Sequence, residues 1–201
     1  MSQRLHRRQK ILLAALRVFA RRGFQRATLR EVAQEAGIGK STIYEYFHSK
    51  THLFQELVEF LFRHLEKASY GAVDPNLPVP EQLCQILHSF ADALVQAPFG
   101  SPEETLAITT DIFAESIRHG TVDLRPIYER DRATLAALLQ KGLRNGEICT
   151  PLAPETLASL IVATLDGLLT QWLLWPEETN LHQQVEAFCR LLRDALRCPG
   201  E

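Results

Sequence analysis

The segment from Lys40 to Phe47 carries side chains whose types and spacing suit the recognition of a large polar partner. On a helix, the two apolar residues Ile43 and Phe47 share one side and leave the polar side chains on the other. The polar set combines donors, acceptors and amphipathic rings: Lys40, Ser41, Thr42, Tyr44, Glu45 and Tyr46. Side chains of these kinds contact base edges and phosphates. The segment therefore predicts a recognition helix for double-stranded DNA.

A second helix must precede this segment, because so short a helix is unstable alone in water and needs packing partners. Thr28 and Glu31 fit a capping box, in which each side chain accepts a hydrogen bond from the other residue's backbone N–H. Gly37 then suits the left-handed conformation that ends a helix. With the turn Gly37-Ile38-Gly39, this order predicts two short helices joined by a tight turn.

The string from Ala36 to Lys50, AGIGKSTIYEYFHSK, resembles the signature of the TetR family of bacterial transcriptional regulators, and the match extends from Gln9 to Phe54. Two positions depart from the family pattern. Gly39 stands where many members carry Ser, which weakens the cap of the recognition helix, and Glu45 replaces what is often an aromatic or basic residue. The resemblance implies a two-domain, all-helical homodimer whose amino-terminal domain binds operator DNA and whose body binds a small molecule.

The resemblance also implies roles for individual residues. Thr28 and Lys50, at the two ends of the motif, are expected to contact phosphates, and the residues of the recognition helix are expected to contact bases. The expected DNA contacts are Thr28, Lys40, Ser41, Thr42, Tyr44, Glu45, Tyr46 and Lys50. Lys50 resembles the family's phosphate-binding lysine, whereas Lys40 and Ser41 are expected to approach bases. Glu45 has two open roles: it accepts a hydrogen bond from cytosine in the major groove, or it lies at the rim and repels phosphate.

Charge is distributed unevenly along the chain. Residues 1–50 contain eleven Lys or Arg and three Glu, a net charge of +8, whereas the other 151 residues contain eleven Lys or Arg and twenty-one Asp or Glu, a net charge of −10. A basic face gains affinity for a polyanion by displacing its counterions. The asymmetry therefore predicts a polyanionic partner for the amino-terminal part, with a solvated basic helix as the alternative.

No motif of an enzyme accompanies these features. The sequence lacks a nucleophile elbow, a Gly-rich phosphate loop, paired metal ligands and a HExxH motif, so we expect no enzyme, metal site or cofactor. A helical adaptor that binds a partner other than DNA is the alternative class. Cys84, Cys149, Cys189 and Cys198 show neither a CxxC nor a Cys/His ligand spacing, so we expect four ordinary thiols and no disulfide framework, with a redox-sensing cysteine as the alternative.

Helical periodicity and cap signals recur along the chain, and no long stretch alternates with period two. We expect an all-α, two-domain fold, with a DNA-binding domain over residues 1–50 and an effector-binding and dimerisation domain over residues 51–201. The nine predicted helices are Arg7–Gly23, Thr28–Ala36, Lys40–Phe47, Ser49–Tyr70, Glu81–Gln96, Ser101–His119, Asp123–Arg144, Pro154–Trp175 and Asn180–Arg197.

Two apolar stretches have the approximate length of an export or membrane signal, but neither has its composition. The stretch from Ile11 to Ala20 contains Arg17, so it lacks the uninterrupted apolar core of a signal peptide. The stretch from Leu157 to Trp175 is broken by Asp166 and flanked by acidic residues, which argues against a membrane-spanning helix. We therefore expect a cytoplasmic protein without a membrane partner.

The last two helices are the expected homodimer interface. Two-fold pairing doubles the few base contacts of one recognition helix and matches a palindromic operator with half-sites about 34–36 Å apart. Two subunits can merge apolar stripes from these helices into a four-helix bundle, and Gly167 would permit close approach. The stripes comprise Leu157, Leu160, Ile161, Thr164, Leu165, Leu168 and Trp172, followed by Val185, Phe188, Leu192 and Leu196. Packing within one subunit is the alternative.

The effector pocket is expected between the helices from Glu81 to Arg144. Candidate lining residues, chosen by residue type, are His64, His88, Phe90, Asp111, Phe113, Tyr128 and Trp172, and ordinary core packing is the alternative for each. A mostly apolar, partly aromatic lining favours a hydrophobic or planar effector. We expect the effector to shift the helix Ser49–Tyr70 and to release a repressor from its operator, and activation instead of repression stays open.

Overall fold

The computed structural model describes residues 2–95 and 101–199. Within these residues the secondary structure consists of nine α-helices and one π-helical turn, without strands. The helices are α1 (Ser2–Arg22), α2 (Leu29–Glu35), α3 (Lys40–Tyr44), α4 (Lys50–Tyr70), α5 (Val79–Val95), α6 (Pro102–Ala114), the π-helix (Glu115–His119), α7 (Arg125–Asn145), α8 (Pro154–Leu174) and α9 (Leu181–Leu196). The all-α prediction is confirmed. Gln96, the predicted end of the fifth helix, lies outside the described residues.

Side-chain caps fix the starts of α2, α6 and α9, and at the start of α4 the Ser49 hydroxyl likewise accepts from the His52 N–H at 3.0 Å. Before α2, the Thr28 hydroxyl accepts from the Glu31 N–H at 3.3 Å and the Glu31 carboxylate accepts from the Thr28 N–H at 2.9 Å. A capping box of the same kind precedes α6 at Ser101. At the start of α9, the Asn180 side chain accepts from the Gln183 N–H at 3.0 Å. Each cap satisfies a backbone donor that no intrahelical bond reaches.

The recognition helix α3 is shorter than predicted and ends at Tyr44 instead of Phe47. Beyond it, the N–H groups of Glu45 and Tyr46 bond carbonyls three residues earlier, at 3.2 and 3.1 Å. Hydrogen bonds of this spacing close a narrower turn than the α-helix. At the other end, Gly39 supplies no side-chain cap, as the sequence predicted. Packing must therefore hold α3 in place.

The helix predicted to continue to His119 changes its winding after Ala114. One π-helical turn follows, and Gly120 ends it in the left-handed conformation with a φ of 61°. Such turns are uncommon and often lie near functional sites. This turn carries Glu115, whose side chain is buried and accepts from the Thr121 hydroxyl at 2.9 Å.

The chain divides into two compact units, of which the first comprises Met1–Arg63 and Ala97–Leu124. In this unit α1 packs against α2 and α6, and α2 packs against α3. Its core contains the rings of Phe19, Phe24 and Phe54. The distance between ring centroids is 5.7 Å for Phe19 and Phe24, 5.5 Å for Phe19 and Phe54, and 4.3 Å for Phe24 and Phe54. Aromatic rings bury a large apolar area each, so this cluster stabilises helices that are too short to be stable alone.

The second unit comprises His64–Gln96 and Arg125–Glu201. Here α5 lies against α9, and α7 lies against α8. Leu83 and Leu87 of α5 and Leu139 of α7 are buried in its core. Gly142 permits close approach of α7 to α5, because a Cβ at this position would lie 3.0 Å from Val79.

Helices α5 and α9 run antiparallel, and charged side chains pair across them. The pairs are Arg193 with Glu81, His88 with Glu186 and His182 with Asp92, at N–O distances of 2.9, 3.1 and 3.8 Å. From one pair to the next, the residue numbers increase on α5 and decrease on α9. This constant register fixes which residues of the two helices face each other.

A disulfide between Cys149 and Cys198 corrects the prediction of four ordinary thiols. The Cys149 N–H donates to the Leu196 carbonyl at 2.8 Å, so the segments that follow α7 and α9 lie side by side. The two Cα atoms are then 4.9 Å apart, within the range that disulfides occupy. This proximity was not predictable from the sequence, because 49 residues separate the two cysteines. Cys84 and Cys189 remain free thiols, as predicted, and both are buried.

Candidate nucleic-acid interface

The recognition helix α3 has one buried side and one exposed side. Ile43 and, just beyond the helix, Phe47 are fully buried, as predicted for core residues. Tyr44 is 50% exposed. The other polar candidates are exposed or half-buried: Lys40, Ser41 and Glu45 are exposed, and Thr42 and Tyr46 are half-buried. The anchored helix thus presents donors and acceptors to solvent in a fixed orientation.

Basic side chains of α1 lie beside this helix. The Arg4 guanidinium lies over the Tyr46 ring at 5.9 Å, and the Arg8 guanidinium lies over the Phe47 ring at 5.3 Å. Arg8 also pairs with Glu56 at 2.7 Å. Contacts between a guanidinium and an aromatic face are attractive, so they help to fix Tyr46 against α1.

Lys50 is directed towards the loop between α1 and α2. Its ammonium group donates to the carbonyls of Phe24 and Gln25 at 2.7 and 2.8 Å. Burial lowers the pKa of Lys50, and nearby Glu115 partly opposes that shift. Because an ammonium group has three N–H donors, one donor remains beyond these two bonds. Lys50 is thus a tether of the loop, and its ammonium group has one N–H donor beyond these two bonds.

Two acidic side chains hold the same loop. The Asp111 carboxylate accepts from the Phe24 N–H at 2.6 Å, and the Glu115 carboxylate accepts from the Gln25 side-chain amide at 2.5 Å. Burial raises the pKa of Asp111, and the hydrogen bond from Phe24 opposes the shift. Asp111 was expected in the effector pocket, but it lies in the first unit and positions the loop. Sequence reasoning missed Glu115, since 90 residues separate it from Gln25.

Part of the positive charge of the first unit is neutralised within the unit. Arg17 and Arg21 pair with Glu35 at 2.8 and 2.5 Å. Arg26 and Arg30, by contrast, are exposed on either side of Thr28 and form no ion pair within residues 2–95 and 101–199. Sequence reasoning did not single out these two arginines, although a count of basic residues near the motif signals them.

Lys10 is a further basic group near the motif. Its ammonium group lies close to the turn between the two short helices, because a Cβ at Gly37 would lie 3.9 Å from it. Gly37 itself has a φ of 65°, so it adopts the left-handed conformation that the sequence predicted for the end of α2.

The seven candidates for the effector pocket have different surroundings. His64 is exposed, Phe90 and Phe113 are half-buried, and Trp172 is buried. His88 lines a cavity of about 340 Å³ in the second unit, together with Glu81 and Arg193. Asp111 has the structural role described above. The cavity is therefore lined in part by charged side chains, which residue type alone did not predict.

Tyr128 belongs to an acidic cluster in the second unit. Burial raises its pKa, and the Asp166 carboxylate, which is hydrogen-bonded to it, adds to the shift. Asp131 is also half-buried. Burial and the nearby Glu66 raise the pKa of Asp131 to about 6, while Arg130 opposes the shift. The carboxylates near the Tyr128 phenol make its surroundings polar, in contrast to the mostly apolar pocket lining expected from the sequence.

The twelve residues expected at the dimer interface fall into two groups. Seven are buried within one chain: Leu157, Ile161, Leu165, Trp172, Val185, Leu192 and Leu196. Five are exposed or half-buried: Leu160, Thr164, Gly167, Leu168 and Phe188. Leu174, Trp175 and Leu191 are also exposed, at 50, 52 and 67%, and the sequence reasoning did not include them.

Helix α8 is unusually apolar for a helix with so exposed a side. An 18-residue window reaches a mean hydropathy of 1.6, yet only 28% of that window is buried. By length and composition this helix is able to cross a membrane. Asp166 lies within it, and such an acidic residue is costly in a bilayer.

A tight turn between two short helices, with an anchored second helix that exposes polar side chains, defines a helix-turn-helix DNA-binding protein. Residues 11–57 match the family model of bacterial regulatory proteins of the tetR family. Residues 81–197 match the model of the C-terminal domain of BetI-type transcriptional repressors. The chain therefore belongs to the TetR family of transcriptional regulators, whose members are not enzymes.

Curated relatives and solved structures agree with this assignment. The chain is similar to the transcriptional regulator TtgR of Pseudomonas putida, with 29% identity over 94% of this chain and 91% of TtgR. It is 31% identical to the regulator BetI of Agrobacterium fabrum over 81% of this chain and 74% of BetI. The fold resembles FadR of Bacillus subtilis, solved in complex with stearoyl-CoA, with a TM-score of 0.74 and 21% identity over 94% of this chain and 99% of FadR.

Proposed function

We propose that this protein is a ligand-responsive repressor that binds a palindromic operator as a homodimer and is released by a small, mostly apolar effector. The observation that carries the proposal is the two-sided recognition helix, in which Ile43 and Phe47 are fully buried while Tyr44 is 50% exposed. A helix that is anchored in this way enters the major groove without losing its orientation. A bacterial operator lies in the cytoplasm, which is the proposed location of the protein.

The proposed DNA contacts divide into two kinds. Lys40, Ser41 and Tyr44 are exposed on α3 and are proposed to meet base edges, with Thr42 and Tyr46 at the border. Phosphates are proposed to meet the basic and hydroxyl groups around the motif: Thr28, Lys50, Lys10, Arg26 and Arg30. Phosphate contacts set the register of the helix on the duplex, whereas base contacts select the sequence. Glu45 is exposed and is compatible with both roles considered for it.

The exposed side of α8 supports the proposed homodimer. Leu160, Thr164, Gly167 and Leu174 follow one another at intervals of three, four or seven residues, so they form one stripe along this helix. Nothing lies within 4 Å of a Cβ placed at Gly167, so a second helix has room to approach there. On α9, Leu191 is 67% exposed. Soluble proteins rarely leave such a surface uncovered, and a second copy covers it symmetrically.

A route from effector to DNA is proposed through the loop between α1 and α2. Asp111 of α6 and Glu115 of the π-helix bond this loop directly, as does Lys50 of α4. A movement of α6 or α4 therefore changes the position of the recognition helix. The effector must bind one arrangement better than the other, since a ligand with equal affinity for both shifts nothing.

The proposed repressor function and effector class are supported by the relatives. BepR of Brucella suis, 29% identical over 83% of this chain and 80% of BepR, is a transcriptional repressor. Stearoyl-CoA, the ligand in the FadR complex, carries a long apolar acyl chain. For this protein we propose a small effector with a mostly apolar surface, bound in the second unit, and propose no narrower class.

Selection from random duplex DNA tests the proposal. The purified protein is incubated with a random pool at two salt concentrations, and the retained duplexes are sequenced. An enriched palindrome is the expected result, and it would supply an operator for effector screens by release. Salt-sensitive retention without enrichment would contradict sequence-specific binding. No retention would favour the helical adaptor.

The dimer is tested separately by sedimentation of the Leu191→Glu variant. A carboxylate on the exposed side of α9 is expected to convert dimers to monomers, whereas Arg190→Glu, a neighbouring exposed position, serves as the matched control. Dimers that persist in the Leu191 variant at the same concentration would contradict an interface on this side.

A further inference from the structure

The two free cysteines face each other between α5 and α9. The Cys84 thiol donates to the Cys189 backbone carbonyl, with 3.9 Å between the sulfur and the oxygen. They occupy the same register as the charged pairs of these helices, between Glu81–Arg193 and His88–Glu186. In sequence the two cysteines are 105 residues apart, so only the fold brings them together.

The two thiols differ in their chemistry. The hydrogen bond from Cys189 lowers the pKa of Cys84, and the Arg193 guanidinium contributes in the same direction. The same hydrogen bond raises the pKa of Cys189. Burial opposes the shift at Cys84. A thiolate is the nucleophilic form of cysteine, so the direction of the shift agrees with an attacking role for Cys84, which its place in the cavity lining supports independently.

A small reagent can reach one member of the pair. Cys84 lines the cavity of about 340 Å³ that also contains Glu81, His88 and Arg193. One molecule of liquid water takes up about 30 Å³, so the cavity has room for hydrogen peroxide, which is only slightly larger. Both cysteines are buried, with Cys84 3% and Cys189 0% exposed, but Cys189 is not among the residues that line this cavity. The cavity therefore offers an oxidant to Cys84 first.

We infer that Cys84 and Cys189 form a peroxide-reactive dithiol, with Cys84 as the attacking residue and Cys189 as the resolving residue. In the first step the Cys84 thiolate attacks one peroxide oxygen, the O–O bond breaks, and the leaving hydroxide takes up the proton released by the thiol and departs as water, so Cys84 becomes a sulfenic acid. In the second step the Cys189 sulfur attacks the Cys84 sulfur, the S–O bond breaks, and a second water leaves. Two thiols thus lose two electrons to one hydroperoxide and form a disulfide.

The new disulfide would bridge α5 and α9 near the centre of their interface. It is distinct from the Cys149–Cys198 bond, which joins the segment after α7 to the segment after α9. Helix α9 would then be covalently held at two points. The reaction itself does not depend on DNA binding, so its test is independent of the proposed repressor function.

The test uses the full chain with Cys149→Ser and Cys198→Ser, in which Cys84 and Cys189 are the remaining cysteines. The folded protein is treated with hydrogen peroxide and measured by intact mass. We expect a loss of about 2 Da in a monomeric species, the mass of two hydrogen atoms, with recovery after a thiol reductant. Gains in steps of about 16 Da without that loss, or no reaction, would overturn the inference.

Single variants in the same background test the order of the steps. With Cys189→Ser, Cys84 has no resolving partner, so a sulfenic acid that dimedone traps is expected to accumulate. With Cys84→Ser, Cys189 is expected to stay unmodified at the same peroxide dose. Equal trapping in both variants would overturn the assigned roles.

The wild-type protein provides a measurement that needs no substitution. Its Cys149–Cys198 disulfide leaves two thiols. After peroxide treatment and denaturation, we expect iodoacetamide to label neither of them. Labelling of both thiols at every peroxide dose would contradict the inference.

Discussion

Charged side chains hold both the α1–α2 loop and the α5–α9 interface, but they do so in different ways. At the loop, Lys50 and Asp111 bond backbone groups at 2.6–2.8 Å in a partly buried setting. At the α5–α9 interface, Arg193 pairs with Glu81 while their side chains are 34 and 44% exposed. Hydrogen bonds to charged groups contribute about 1.5–3 kcal/mol, whereas exposed ion pairs contribute about 0–1 kcal/mol. Substitutions of the charged residues at the loop are therefore expected to lower stability more than substitutions of those at the α5–α9 interface.

The largest effect is expected for Asp111→Ala. This change leaves the Phe24 N–H without its acceptor, and an unpaired, partly buried donor costs about 1–3 kcal/mol of unfolding free energy. Urea unfolding measures the loss. Asp92→Ala, at an acid whose side chain is 55% exposed on α5, is the control and is expected to change stability by less than about 0.5 kcal/mol. Equal losses in the two variants would remove the contrast between the regions.

Lys50→Ala is expected to weaken binding to every duplex about tenfold. The change removes the tether of the loop and the N–H that we assign to a phosphate, so the slope of log affinity against log salt is expected to fall by roughly one unit. Titrations of specific and scrambled duplexes at several salt concentrations measure both quantities, with the exposed Lys67→Ala as control. An unchanged slope would leave Lys50 with the tethering role alone.

Asp131→Asn removes a half-buried charge in the second unit. The pKa of Asp131 is raised from 3.8 to about 6, so the native state binds more protons than the unfolded state between these pH values. The contribution of Asp131 to stability therefore falls as pH rises from about 4 to 6. We expect Asn to stabilise the protein by about 1 kcal/mol at pH 7.5, after allowance for solvent screening, and by less at pH 5. A gain that is equal at both pH values in urea unfolding would contradict the assignment.

The smallest effect is expected for Arg193→Ala. Its ion pair with Glu81 is partly exposed, so the loss is expected to stay below about 1 kcal/mol. Urea unfolding of this variant beside Arg190→Ala, which removes an ion pair within α9, provides a matched comparison. A loss as large as that of Asp111→Ala would show that the α5–α9 pairs are stronger than their exposure indicates.

The features that the sequence predicted depend on residues that lie close together in the chain. The capping box joins Thr28 to Glu31, and the burial of Ile43 and Phe47 follows from their spacing of four residues. Gly37 likewise takes the positive φ that its position required. The short helices were predictable because each signal and its structural consequence lie within one or two helical turns.

The features that escaped prediction join distant parts of the chain. Asp111 bonds a residue 87 positions away, and Cys149 bonds a residue 49 positions away. Residue type suggested that Asp111 lines a pocket and that Cys149 is a free thiol, because no pattern in a single sequence records which helices pack together. The π-helix at Glu115–His119 escaped for a related reason, since its winding differs from that of α6 without a distinct sequence signal.

The most direct test of the account measures how well the protein discriminates between its selected palindrome and a scrambled duplex at one salt concentration. For the wild type we expect the palindrome to bind at least about 10³-fold more tightly. Tyr44→Ala is expected to lower this ratio about tenfold or more with little change in affinity for the scrambled duplex, because Tyr44 is assigned to base contacts. Ile117→Ala, a substitution at an 80% exposed residue of the π-helix, is the control and is expected to keep the ratio. A Tyr44 variant that discriminates as well as the wild type would contradict the claim that the exposed side of α3 reads the operator.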